Sequence, residues 1–376
     1  MNAMPLRWLH RNLFGKPADA ALTLVIVPFC AWVLIVILRW ALVTADWHIL
    51  ADSARVLLIG IYPVEEIWRA WFCGFVLAGI AGGSLGILLP AAVPLLAGLA
   101  GAGLIGGLAL LAAGAADGLL AVGCLWTALA AWALLARSFT LCRFAGPVFL
   151  LAFGAMFLVL AGPGLERWGG LLLSVILTIA TSCLVLPLGI LLALGRQSRI
   201  GSVRVLCTAY IEVMRSIPLI LVVYWIWIIV PLLLPGLPVP ALLRGMAGYA
   251  IFFSAYVAEY VRSGLQALSK GQVEAAQSLG MGTWSTNLDI VLPQALRVTL
   301  PALVGQILDI FNGATLVFII GLTDFLRSGQ MILANPQNSS RVYEIYLTMF
   351  AVYFVIGSAI TYASRKLEAH LGRGTR

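Results

Sequence analysis

Forty-seven consecutive residues between Arg69 and Asp117 carry no Asp, Glu, Lys or Arg, and nineteen more lie uncharged between Asp19 and Arg39. A spanning helix needs about 20 predominantly apolar residues, and an ionised group at the bilayer centre is costly. Runs of this kind dictate an all-α integral membrane protein. Composition agrees, since 62% of the 376 residues are hydrophobic and 10% charged, against roughly one charged residue in four for soluble domains.

The longer window is read as two spans, with LLPAAVPLL around Pro90 and Pro94 as the turn between them. Further spans are predicted at 118–136, 144–165, 169–195, the apolar portion between Cys207 and Pro235, 246–261, 298–322 and 345–364. About ten transmembrane helices put both termini on one side. Basic residues crowd one set of connections: Arg7, Arg11 and Lys16, then Arg137 and Arg143, then Arg196, Arg199 and Arg204, then Arg262, Lys270 and Arg297, and finally Arg365, Lys366, Arg373 and Arg376. By the positive-inside bias those segments and both termini are cytoplasmic. The formal charge of +8 is spread over loop after loop rather than gathered in one stripe, so it reports topology and anionic lipid, not nucleic acid. The first twenty residues are too polar for the core of a cleaved signal, and the run after them is long enough to remain as a membrane helix. Six cysteines without a Cys-x-x-Cys pair read as packing residues, and His10, His48 and His370 form no metal-ligand spacing. There is no G-x-x-x-x-G-K-[ST] loop for a nucleotide, so the chain is not read as an enzyme.

Residues 1–166 are dominated by Leu, Ala and Gly. LAGAGLIGGLALLAAGAA has the small residues that let helices approach closely, and this half is read as a scaffold of about five spans. From residue 167 onward polar groups interrupt the apolar runs. Glu212 and Arg215, and again Glu259 and Arg262, stand three apart, the spacing for ion pairs on one helical face. Gln306, Asp309 and Asn312 repeat that spacing inside a span, as an interhelical hydrogen-bond network or as the polar wall of a passage.

Between Arg262 and Pro293 the chain turns polar, and two short helices around one glycine are expected. Ser269 and Gln272 match the S-x-x-Q capping box, Val273, Ala276 and Leu279 form an apolar side, Gly280 ends the first helix left-handed, and Thr283 caps the second. A helix of about ten residues is marginal alone in water. It needs a support, either the membrane face of its own domain or another protein.

The order Glu274-Ala275-Ala276, three residues, Gly280, nine residues, Ile290, one residue, Leu292-Pro293 resembles the cytoplasmic signature of the membrane-spanning subunits of bacterial ABC importers. YIEVMRSIPLI from Tyr210, SAYVAEYVRSGLQALSKGQ from Ser254, VLPQALRVTLPALVGQ from Val291 and ILANP from Ile332 narrow the likeness to permeases for polar or general L-amino acids. It covers 169–371, with 1–166 similar to the extensions of the longer permeases of this kind.

The resemblance implies an importer core at 167–371 with a coupling elbow at 263–292. Glu274, Ala275, Ala276, Gly280, Ile290, Leu292 and Pro293 would meet a separate ATPase, which alone holds ATP and magnesium. The implied assembly has two ATP-binding subunits, a homologous second permease, making a heterodimer, and an extracytoplasmic solute-binding protein in a bacterial inner membrane. Gln306, Asp309, Asn312 and Thr315 would line the path or its gate. The family's Phe-Lys-Asp/Asn-Thr/Ser-Ser/Thr-Leu pattern is broken here, where the chain reads Phe311-Asn312-Gly313-Ala314-Thr315-Leu316. Two other functions fit the residues alone: an ion-coupled secondary transporter using Asp309, and a non-transporting membrane assembly protein.

Overall fold

A computed structural model describes residues 15–88, 116–236, 238–282 and 285–371. The helices, numbered in chain order among those residues, are α1 (Pro17–Arg39, continued by a π-turn over Trp40–Thr44), α2 (His48–Ile59), α3 (Ile67–Leu88), α4 (Ala116–Arg137), α5 (Phe139–Leu160), α6 (Gly170–Arg196), α7 (Gly201–Ser216), α8 (Leu219–Leu233), α9 (Ala241–Ala267), α10 (Lys270–Ser278), α11 (Leu292–Gly313), α12 (Phe325–Leu333) and α13 (Val342–Leu371). The only strand among the described residues is Thr323–Asp324, which bridges Gly169 and Gly170.

Among the described residues, seven helical stretches are long and apolar enough to cross a membrane, or eight if one bent pair counts as a span. The all-α membrane architecture follows the hydropathy, and the described residues account for seven or eight of the roughly ten expected spans. The turn at Pro90 and Pro94 and most of the second half of its window lie outside the described residues. The apolar part of α5, Phe144–Leu160, is too short for that class. The span expected between Cys207 and Pro235 is broken, with α7 and α8 meeting at 111°. Proline explains the break: its ring disfavours helical geometry in the preceding residue, and Ile217 before Pro218 is extended at φ −104°, ψ 141°.

α9 is the centre of the bundle, with 67% of its apolar window buried, whereas α1 has none of its window buried. α6, α8 and α11 pack around α9, where Tyr249, Ala255, Ala258 and Val261 have no exposed surface. α1 is apolar on every side and has no such face, as expected of a helix surrounded by lipid.

One end of the bundle is fastened by close backbone contacts. Gly60 has φ +62°, and a Cβ there would lie 2.7 Å from the Cα of Gly169, so only glycine lets α2 end against the start of α6. Beside it Trp168 Nε1 and Tyr62 Oη both donate to the Leu160 carbonyl, at 3.0 and 3.3 Å. Arg341 before α13 pairs at 2.9 Å with Asp46 after α1.

Asp324 lies at this end with no exposed surface. Its carboxylate caps α12 by accepting from the backbone N–H of Leu326 at 3.0 Å and of Arg327 at 3.1 Å. Burial outweighs those bonds and pushes its pKa up from 3.8 to about 6. The folded state therefore holds this proton more tightly than the unfolded state does. The resulting stability is fully present below about pH 4 and lost as pH rises through about 6. Asp324→Asn keeps a capping oxygen and removes the titration. The thermal midpoint in detergent should fall by the equivalent of about 1–3 kcal/mol across that window in the parent chain and stay flatter in the variant; equal slopes in both would refute the assignment.

Candidate functional site

The polar connection forms at the end of α9 opposite the Gly60–Gly169 contact, since Gly245 near the start of α9 lies beside Ile320 and Leu322. α9 gives way at Leu268, whose φ −80° and ψ 142° leave the helix, and α10 then runs for nine residues. Ser269 is its N-cap, as expected, but the serine side chain makes no capping bond, so the capping box does not form. The carboxyl end is closed by backbone bonds. Met281 N–H donates to Ala276 C=O at 3.1 Å and Gly280 N–H to Gln277 C=O at 2.9 Å, with Gly280 at φ +79°. That is the bond pattern of a Schellman turn, with glycine at its left-handed position.

This turn corrects the expected apolar side. Ala276 is 2% exposed and Val273 half-buried, but Leu279 stands 82% exposed. Leu279 is the residue at which the helix ends, so the helical period no longer governs where it points. Glu274, Ala275, Gln277 and Ser278 are exposed too. α10 thus turns Ala276 toward its own chain and presents a polar surface tipped by one large apolar side chain.

The expected second short helix is not separate. Thr286–Val291 is a π-turn running directly into α11, and Thr283 lies outside the described residues. Ile290 and Leu292 are half-buried there, Pro293 is exposed in the first turn of α11, and Gln294 Nε2 donates to Ile290 C=O at 3.0 Å. Of the seven proposed contact residues, Glu274, Ala275, Gly280 and Pro293 lie open. Ala276 does not.

The ion pairs gather at the root of the elbow. Arg262 reaches both carboxylate oxygens of Glu259, with Nε 3.0 Å from each. Glu212 does not pair with Arg215. It takes Arg196 Nη2 at 2.9 Å, while Arg196 Nη1 lies 3.2 Å from Glu259 and Arg215 3.8 Å from Glu259. One carboxylate on α9 therefore meets three guanidiniums from α6, α7 and α9. Sequence spacing found the local partner Arg262, but nothing local signals Arg196, sixty-three residues before Glu259.

The third set lies on α11. Gln306 is 3% exposed and its Oε1 has no hydrogen-bond partner among the described residues. Asp309 and Asn312 are exposed on the surface of the single chain, although they lie inside the apolar stretch Thr286–Ile320. An internal network is thus limited to the 3.5 Å contact from Gln306 Nε2 to Asp309 Oδ2. Thr315 is half-buried and donates to Asn312 C=O at 2.9 Å. At Gly313, where the resembled pattern has Asp or Asn, the carbonyl accepts from Tyr249 Oη and a Cβ would lie 3.1 Å from Leu219 Cδ2. Close packing replaces the missing polar side chain there.

The hub predicts unequal costs. Glu259→Gln leaves three arginines without their shared anion and should cost about 1–3 kcal/mol, given that the group is partly solvated. Glu212→Gln, more exposed and with one partner, should cost less than about 1 kcal/mol. Thermal unfolding of the two variants in detergent checks the order, and equal losses would contradict a hub at Glu259.

Residues 185–369 match the family described as binding-protein-dependent transport system inner membrane component. The chain is 32% identical to the inner membrane amino-acid ABC transporter permease protein YhdY of Escherichia coli K12, over 98% of this chain and 93% of that protein. It is 29% identical to the glutamate/glutamine/aspartate/asparagine transport system permease protein BztC of Rhodobacter capsulatus, over 99% and 94% of the two chains. A crystal structure of an amino acid ABC transporter with histidines aligns with 54% of this chain and 92% of that one, at 32% identity and a TM-score of 0.47. With its helical membrane bundle and a likeness that runs nearly end to end, the chain belongs to the ABC importer permeases, as a multi-pass inner-membrane subunit that couples to a separate ATPase.

Proposed function

We propose that this chain forms half of the membrane path of an ATP-driven amino acid importer, with the elbow at 263–292 as its contact with the ATPase. The observation that carries this reading is α10, whose buried Ala276 fixes one side while Leu279, 82% exposed, and the polar residues around it remain free. A helix held on one side can transmit a push. Glu274, Ala275, Gly280 and Pro293 would touch the ATPase, while Ala276, Ile290 and Leu292 hold the elbow in shape. The likeness to YhdY and BztC supports amino acids as the substrate class.

We divide the chain into an extension at 1–166 and a core at 167–371. About ten spans with both termini cytoplasmic remain the preferred topology, supported by the basic residues on one set of connections. The assembly would contain two ATP-binding subunits, a homologous second permease and an extracytoplasmic solute-binding protein. Exposed Asp309 and Asn312 favour the second permease and the passage over lipid as their surroundings, because an ionised carboxylate facing hydrocarbon costs about 2.5–3.5 kcal/mol or more. Gln306 and Thr315 support that wall. Arg196, Glu212, Arg215, Glu259 and Arg262 brace the helices leading to the elbow.

Co-purified complexes reconstituted in vesicles should take up amino acids from a panel with hydrolysable ATP and fail with a non-hydrolysable analogue. Uptake driven by a proton or sodium gradient after removal of the ATPase would instead establish the secondary transporter. Gly280 gives a residue-level test. Nothing lies within 4 Å of a Cβ built there, so substitution acts through backbone strain alone. Gly280→Val should cost about 1–2 kcal/mol locally and lower substrate-stimulated ATP hydrolysis with membrane insertion intact, while Gly280→Asn, which tolerates the left-handed region, should be milder. Full stimulation in the valine variant would remove Gly280 from the coupling contact.

A further inference from the structure

Away from the elbow, α2, α3 and α4 meet the first turns of α6 around a cavity of about 520 Å3, within the roughly 300–1,000 Å3 of small-molecule sites. Its wall is carbon from residues such as Leu58, Ala70, Trp71, Leu171 and Leu172, and Arg55 is its one charged lining residue. Water has no hold on such a wall, since a buried water needs two to four polar partners. The glycine seat between Gly60 and Gly169 sets α2 against α6 beside it.

The depth of the cavity and its charge select the occupant. Ala70 and Trp71 lie near the start of the span Val64–Ile87, and Leu171 and Leu172 in the first turn of the span Gly170–Arg196, so the carbon wall begins where hydrocarbon begins. Arg55 lies on α2, outside both spans, where headgroups would be. It is exposed and makes no hydrogen bond or ion pair among the described residues, not even with Asp52 one turn earlier.

We propose that this joint binds an anionic phospholipid, with one acyl chain in the cavity and its phosphate on Arg55. The lipid would fill the seam between the extension and the core. The inference rests on the chain being embedded in a membrane and not on which solute it carries.

The test uses the assembled complex in vesicles containing phosphatidylglycerol or phosphatidylcholine with brominated acyl chains, which quench tryptophan on contact. The signal from this site is the quenching lost in Trp71→Phe. It should favour phosphatidylglycerol over phosphatidylcholine by about fivefold, the factor that corresponds to about 1 kcal/mol for one basic group at an anionic headgroup. Arg55→Gln should bring the ratio near one, and Ala70→Phe, which places a ring in the cavity, should abolish quenching by both lipids. Equal quenching by the two lipids in the parent complex, or an unchanged ratio in Arg55→Gln, would overturn the proposal. So would absence of quenching at Trp71 by either lipid, which would mean that polypeptide from a partner fills the space. Should Ala70→Phe fail to assemble, the Arg55→Gln ratio still decides.

Discussion

Hydrocarbon gives a peptide group nothing to bond to, and that constraint arranges everything else in this protein. Backbone polar groups must be satisfied within helices, so the chain crosses the membrane in helices and concentrates its irregular backbone at the two ends. α9 lies at the centre of the result, with Gly248 against Val223 of α8, Gly264 against Ala295 and Thr299 of α11, and Tyr249 bonded to the Gly313 carbonyl. The elbow is the direct continuation of α9. Whatever displaces α10 is therefore applied to the most enclosed helix in the bundle, with little slack between the surface and the core.

The sites differ in what they ask of the protein. At the elbow a short helix is steadied by one buried alanine and a backbone turn, leaving its polar face free. On α11 the polar residues keep the spacing of a helical face, but Asp309 and Asn312 point away from the chain's own interior. Such a surface is incomplete without a neighbour or a water-filled space. The departure at Gly313 fits the same economy: Tyr249 bonds to the backbone carbonyl, and the room for a side chain is taken by Leu219.

Much of this was legible in the sequence because hydrophobicity and helix termination are local. Charge-free windows located most of the spans, and Gly280 in a gapped motif located a left-handed turn. The misreadings occurred where geometry depends on something distant or on a helix ending. Leu279 followed the helical period on paper, yet it is the residue at which the helix stops. Ser269 occupied the capping position without using its hydroxyl. Glu212 had an arginine at ideal spacing but bonds to Arg196 on another helix, and the break before Pro218 was hidden by the apolar run around it. Asp324 reads as an ordinary loop acid, because a Thr-Asp pair in a polar loop gives no sign that the fold will enclose it.

Ion pairs occur at both ends of the bundle, and one end adds a close backbone contact. There Gly60 rests on Gly169 backbone to backbone, and no side chain can be rearranged to loosen that fit. At the other, Glu259 is shared among three arginines, and a carboxylate so placed can exchange one partner for another without being left alone. A body built this way behaves like a pair of tongs, rigid at the rivet and compliant at the tips, and the tips are where the elbow is.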